Sequence, residues 1–181
     1  HPDVKIRISN GTTAQVLSDM KEGRTDLAVI PTPFQLEKPY TSVRLKQIRS
    51  VLVGGPRFAH LCSAPLNLSE LNRYPLAGLS GSTMSYRFYE DFFAAHGLSL
   101  HYDIEMANAD LLLPVAAHDL GLAFVPERLA ADLLEQGKLF SIPLKEEIPL
   151  RHVCLVRDPG RPLGAATRCL LELLMKERGP Q

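Results

Sequence analysis

Tryptophan is absent from this chain of 181 residues, and aromatic residues make up only 7% of it. That argues against a large stacking platform for bases or sugars. An excess of one charge is also lacking: 20 Lys+Arg balance 20 Asp+Glu. A neutral chain without a basic block grips nucleic-acid phosphates poorly by itself. No apolar run approaches the roughly 18 residues that a membrane helix needs, and no basic-then-apolar leader opens the chain. The three cysteines, Cys62, Cys154 and Cys169, are odd in number and lack metal-type spacing. A disulfide framework is therefore disfavoured, and a reducing compartment such as the cytoplasm fits better. What is present is ordinary globular usage, 45% hydrophobic and 22% charged, in a chain long enough for one large domain or two small lobes.

The dominant rhythm is a short apolar strand followed by a helix. Val4-Lys5-Ile6-Arg7-Ile8 alternates strictly, as a strand with one buried face does. After Ser9-Asn10-Gly11, Thr12 with Gln15 three residues on makes a capping-box signature. Ala14, Val16, Leu17 and Met20 then form an apolar stripe closed by Gly23. Asp26–Ile30 reads as a strand covered on both faces, stopped by Pro31-Thr32-Pro33. Strands are expected over 40–47, 49–53, 76–79, 101–106, 122–125, 140–142 and 150–157. A helical turn is expected over 68–71 after Asn67. Longer helices are expected from Ser80-Gly81-Ser82-Thr83 to about His96, over 127–136, and from Leu163 to Arg178. Another starts after Asn108, and Pro114 inside it should cost a hydrogen bond and bend it. Alternating strands and helices with short links predict an α/β fold with mostly parallel sheets.

Catalytic patterns are thin. Gly78-Leu79-Ser80-Gly81-Ser82 approaches a nucleophile elbow, but its last position is serine, so Ser80 reads as a cap. There is no Gly-x-Gly-x-x-Gly, no P-loop and no helical His pair at i, i+4. His96, His101 and Asp103 flank a turn and make only a weak metal candidate. Cys154 and Cys169 read as small core hydrophobes, and Glu146-Glu147 as a solvated loop. Neither a cofactor, a metal nor a catalytic residue is expected, which points away from an enzyme.

Three helix starts share a different design. Thr12-Thr13, Ser82-Thr83 and Asn108-Ala109 each follow a strand and offer hydroxyl or amide groups. The first backbone N–H groups of a helix have no intrahelical partner, and the dipole adds partial positive charge there. An anion can be held at such a junction without lysine or arginine. Each residue can equally do no more than cap its own helix.

These residues carry a resemblance. Gly11-Thr12-Thr13-Ala14-Gln15 through Lys21-Glu22-Gly23-Arg24-Thr25-Asp26-Leu27-Ala28-Val29 resembles the effector-binding domain of LysR-type transcriptional regulators, as does the opening His1-Pro2-Asp3-Val4. Leu111–His118 followed by Gly121-Leu122-Ala123-Phe124-Val125-Pro126, and Gly137-Lys138-Leu139 before a strand and a terminal helix, fit the same family in the same order. The resemblance covers nearly the whole chain. It implies two Rossmann-like lobes of the periplasmic-binding-protein type (type II), joined by a two-strand hinge. Lobe I would be 1–74 with 148–181, and lobe II 75–147. It also implies that a strand and helix the family places in lobe I should precede His1. Lobe I is then N-terminally truncated, with strand edges left for a second chain to cover.

Carried over by position, the resemblance implies effector contacts from Thr12 and the Pro31-Thr32 loop on lobe I and from the Ser80–Met84 loop, with Ser82 and Thr83, on lobe II; the helix-start reading adds Thr13 and Asn108, and Phe34 and Phe124 are expected to bury ligand surface. The arginine that some relatives place beside the Thr32 loop is missing from Pro31-Thr32-Pro33-Phe34, which favours a less charged metabolite over a strongly acidic one. The implied partners are a small metabolite or organic acid, a second copy in a homodimer or tetramer, and DNA only through a helix-turn-helix domain not in this sequence; no membrane partner is expected. A transporter's solute-binding protein and, further off, an α/β serine hydrolase using Ser80 are the competing readings.

Overall fold

A computed structural model describes residues 3–176 of the chain. In chain order its elements are α1 (Thr13–Lys21), β1 (Ala28–Pro31), β2 (Thr41–Ile48), β3 (Ser50–Gly54), β4 (Leu76–Leu79), α2 (Met84–Ala95), β5 (Ile104–Met106), α3 (Leu112–Ala117), β6 (Leu122–Pro126), α4 (Glu127–Glu135), β7 (Phe140–Ile142), β8 (Arg151–Arg157) and α5 (Ala165–Lys176). Short 3-10 helices cover Pro56–Ser63, Leu68–Arg73 and Ala109–Leu111. The chain divides into two compact units, His1–Gln47 with Arg151–Gln181, and Ile48–Leu150. His1-Pro2, part of the family-like opening, and residues 177–181, the end of the expected terminal helix, lie outside the described residues.

The first unit carries a three-stranded sheet in the order β1-β8-β2. β8 runs antiparallel to β1, with Ile30 opposite Cys154. Its core is small: Met20 from α1, Ala28 and Ile30 from β1, and Val156 from β8, flanked by half-buried Val16, Leu17, Phe34, Leu36 and Tyr40. Residues 4–8 form no strand, contrary to the alternation of their sequence. Ile6 is 66% and Ile8 89% exposed. Alternation earns a strand only where a neighbour supplies hydrogen bonds, and among the described residues none pairs with this segment. β1 is likewise covered on one face rather than two, because Val29 points outward at 52% exposure.

The second unit carries a five-stranded sheet in the order β5-β4-β6-β3-β7. Successive residues of its central strands enter opposite cores. Leu52, Leu76, Leu122 and Phe124 face Phe58, Leu61 and the α2 aromatics Tyr89, Phe92 and Phe93. Val53, Ala77, Ala123 and Val125 face Leu112 and Ala116 of α3 and Ala130 of α4. This period of two, with both faces covered, explains the continuous apolar runs of β3 and β6.

Three expectations need correcting. The sheets are mixed, not mostly parallel: β4 pairs parallel with β5 and β6, whereas β3 pairs antiparallel with β6 and β7. Helical crossovers force parallel strands, but β3 and β8 enter their sheets directly from the other unit. Pro114 does not break a helix. α3 begins at Leu112, which places Pro114 in the first turn, where its missing N–H has no partner to lose. The first crossing between units falls at Gln47–Ile48 rather than near 74. Residues 48–74 belong with the second unit because β3 sits between β6 and β7 there.

Candidate functional site

In the first unit, Thr12 is the N-cap of α1. Its extended backbone lets Oγ1 accept from the Gln15 amide at 3.3 Å. Thr13 is the first helical residue. Thr12 is exposed, so its hydroxyl proton and the first α1 amides face solvent. One turn on, Gln15 Nε2 donates to Asp19 Oδ1 at 3.0 Å, and Arg24 donates to the same carboxylate. The Arg24 hydrogen bond, then that from Gln15, holds the Asp19 carboxyl below its ordinary range.

Thr32 follows β1 directly and is clipped to β8. Its N–H donates to His152 O at 2.9 Å, and its Oγ1 accepts from the His152 amide at 2.9 Å. Its carbonyl accepts from Arg151 Nε at 2.6 Å. The loop has no arginine of its own, yet a buried one reaches it from a strand more than a hundred residues later. Reading the sequence missed this residue, because no local signal relates position 151 to position 32; the β1–β8 register, with Pro31 opposite Val153, creates the link.

In the second unit, Ser80-Gly81-Ser82-Thr83 forms the turn from β4 into α2. The Ser80 carbonyl accepts from the Thr83 amide at 3.0 Å and from the Thr83 hydroxyl at 2.9 Å. Thr83 Oγ1 in turn accepts from the Tyr86 amide at 3.1 Å, so this buried hydroxyl is used as both donor and acceptor within the turn. Ser80 and Ser82 approach through their hydroxyls at 3.3 Å, and Ser82 is exposed. Among the described residues no histidine bonds to Ser80.

Asn108 Oδ1 accepts from the Asp110 amide at 2.9 Å and caps only a three-residue 3-10 stretch. With α3 just six residues long, the dipole behind Asn108 is slight. Phe124 stands apart from the other candidates. It is 4% exposed and stacks on Tyr89 at 4.7 Å, with the Phe92 and Phe93 rings edge-on to it. Its ring is taken up by core packing, so the ligand burial expected of it has no support in its surroundings.

The remaining sequence candidates are occupied elsewhere. His96 Nδ1 lies 2.9 Å from the Phe92 carbonyl, and Asp103 Oδ2 accepts from the Leu76 amide at 2.8 Å. Cys62 Sγ donates to Ser141 O at 3.2 Å, and burial pushes its thiol above the ordinary range, as it does for the buried Cys154. Cys169 is exposed on α5, contrary to the core position expected of it.

Two sheets with helices between their strands define a mixed α/β architecture. The chain matches the LysR substrate binding domain model over residues 1–179 and belongs to that family. Its fold is the periplasmic-binding-protein-like type II fold of those domains. The CcmR regulatory domain of Synechocystis PCC6803, solved in complex with 2-PG, superposes with a TM-score of 0.85 at 13% identity, covering 98% of this chain and 85% of that one. The effector binding domain of QuiR, in complex with shikimate, gives 0.79 at 14% identity, covering 93% and 78%. A hydrogen peroxide-inducible genes activator from Haemophilus influenzae is 22% identical over 162 residues, 90% of this chain. The chain spans 54% of that curated relative's length.

Proposed function

We propose that this chain is the effector-sensing and dimerising part of a cytoplasmic transcription regulator, with a small metabolite or organic acid as its effector. The observation that carries the reading is the family match over nearly the whole chain. The exposed Thr12 start of α1, with Thr13, Pro31 and Thr32, and the Ser80–Ser82 turn before α2 support it as polar groups that each unit by itself offers to a ligand. Thr83 contributes its place in the turn rather than its hydroxyl, and Asn108 is the weakest member.

Arg151 supports the loop from within: its buried guanidinium donates to the Thr32 carbonyl and holds Thr32 in place. Micromolar affinity requires about 8 kcal/mol, and each helix end contributes at most ~2 kcal/mol. Charge and ligand burial supply the rest. At Cys62 and Cys154 burial disfavours the reactive thiolate.

Binding would shift the population of conformations and so the geometry of a homodimer or tetramer. The exposed Val4, Ile6 and Ile8 and the free edge of β1 are surfaces a second copy would cover. DNA contact would come from a helix-turn-helix domain outside this sequence, in keeping with a formal net charge of +0. The family match favours this reading over a transporter's solute-binding protein or a Ser80 hydrolase.

A thermal-shift screen of small organic acids and their neutral amides tests the proposal. An acid should raise the melting midpoint, and Thr12→Val, Ser82→Ala and Arg151→Gln should each weaken it. A hit that all three variants bind as tightly as the parent would place the ligand elsewhere.

A further inference from the structure

Thr32 ends the pairing of β1 with β8 in an irregular way. The register runs from Ala28 opposite Val156 to Pro31 opposite Val153, which brings Thr32 opposite His152. In a hydrogen-bonded antiparallel pair, two opposite residues exchange both backbone bonds. Here one of the two is kept, the Thr32 amide donating to His152 O at 2.9 Å. The His152 amide donates instead to Thr32 Oγ1 at 2.9 Å, and the displaced Thr32 carbonyl accepts from Arg151 Nε at 2.6 Å. The hydroxyl has taken the place of the carbonyl, and all three hydrogen-bonding groups of Thr32 end on two consecutive residues of β8.

The chain path gives this exchange its reach. Arg151 is the first residue of β8, and it is also where the chain re-enters the first unit after leaving the second at Leu150. Its side chain is buried, while Thr32 and His152 are half-buried. Thr32 lies between Pro31 and Pro33, neither of which has a backbone N–H. Over this stretch Thr32 alone can donate from the main chain, so its bonds fix where the loop leaves the sheet.

We propose that Arg151 is a positioning residue for the effector site, and that Thr32, Arg151 and His152 form a clip tying the Thr32 loop to the second crossing. The proposal rests on the reading that Thr32 contacts the effector. The clip depends on residue type. A hydroxyl can answer the His152 amide, and valine in its place would leave that N–H without its acceptor. Arg151 uses the Nε–H of a planar guanidinium; lysine keeps the charge but has no donor at that point of its stem. A ligand group bonded to Thr32 therefore acts on a residue held by three hydrogen bonds to the start of β8, one peptide from the crossing.

Amide hydrogen exchange of the whole chain, read by NMR without ligand, tests the clip. Thr32→Val and Arg151→Lys should each speed exchange of the Thr32 and His152 amides by about tenfold. The amides of Ile30 and Cys154, the next hydrogen-bonded pair inward, should keep their rates. Thr32→Ser should retain the parent rates, and the double variant Thr32→Val, Arg151→Lys should lose less than the two singles combined. The Leu150 amide resonance should shift in both single variants. Equal acceleration at Ile30 and Cys154 would reduce Arg151 to general support of the sheet and overturn the proposal. So would unchanged exchange at His152 in Thr32→Val, a Leu150 resonance that stays in place, or additive effects in the double variant. The organic-acid screen tests the effector reading separately: binding untouched by Thr32→Val would take Thr32 out of the effector site and end the positioning role, whatever the exchange rates say of the clip.

Discussion

The two units are built from the same strand-and-helix vocabulary but hold together very differently. In the second, both faces of a five-stranded sheet are covered, and large residues such as Phe93, Leu68 and Leu122 are almost wholly buried. In the first, a three-stranded sheet shelters a smaller core around Met20, Ala28, Ile30 and Val156, and α5 contributes no buried residue. Hydrophobic burial is the main favourable term in folding, at roughly 25 cal/mol per Å². The second unit therefore carries most of the stability seen in this chain, and the first exposes the surfaces on which assembly would draw.

The comparison can be broken by removing side chains of similar character from each unit. Phe93→Ala should cost about 3–5 kcal/mol, whereas Ile8→Ala should stay within about 0.5 kcal/mol. Urea unfolding followed by circular dichroism measures both. An Ile8→Ala loss comparable to that of Phe93→Ala would show that the 4–8 segment packs after all, against another copy or another part of the protein.

Close packing in the second unit gives the next effect. A Cβ on Gly78 would lie 2.1 Å from the Tyr102 ring, whose burial also pushes its hydroxyl pKa far upward. Gly78→Ala should cost about 1–3 kcal/mol by overpacking. Gly164, with nothing within 4 Å of such a carbon, makes the control in the first unit.

Caps sharpen the contrast at a smaller scale. Thr83→Ala, which removes a buried hydroxyl with two partners, should cost about 1–2 kcal/mol, and exposed Thr12→Ala about 0.5 kcal/mol. Equal losses would mean that Thr12 is more enclosed than its exposure indicates.

The smallest effect is a pH dependence. Glu70 accepts from the Asn67 backbone and side-chain amides at 2.8 and 2.7 Å, and these bonds, the backbone one first, hold its carboxyl below the ordinary range. Its contribution is present above the unfolded-state pKa and is lost as pH falls through the lower folded value. Glu70→Gln should therefore lower stability slightly at neutral pH, leave it little changed at low pH, and so flatten the acid limb of the stability profile. An unchanged acid limb would remove Glu70 from the account.

Much of the architecture was legible because it is local. Thr12, Asn67 and Thr83 announce helix starts through side chains that reach amides two or three residues on. Gly23, Gly97 and Gly137 take the positive φ that ends α1, α2 and α4. The helix expected from Ser80-Gly81-Ser82-Thr83 to about His96 is α2, with Tyr89, Phe92 and Phe93 buried on it. Less of the site was legible. Phe124 is expected from the sequence to bury ligand surface, but which face of β6 it occupies depends on the sheet around it.

By itself the sequence determined element type, caps and family, since each rests on neighbours within a few residues or on ordered motifs along the chain. Only the tertiary structure decided that residues 4–8 go without a partner strand, that 48–74 join the second unit, and that Arg151 meets Thr32. Those outcomes depend on which distant strand lies alongside, and strand pairing joins residues that no local pattern relates.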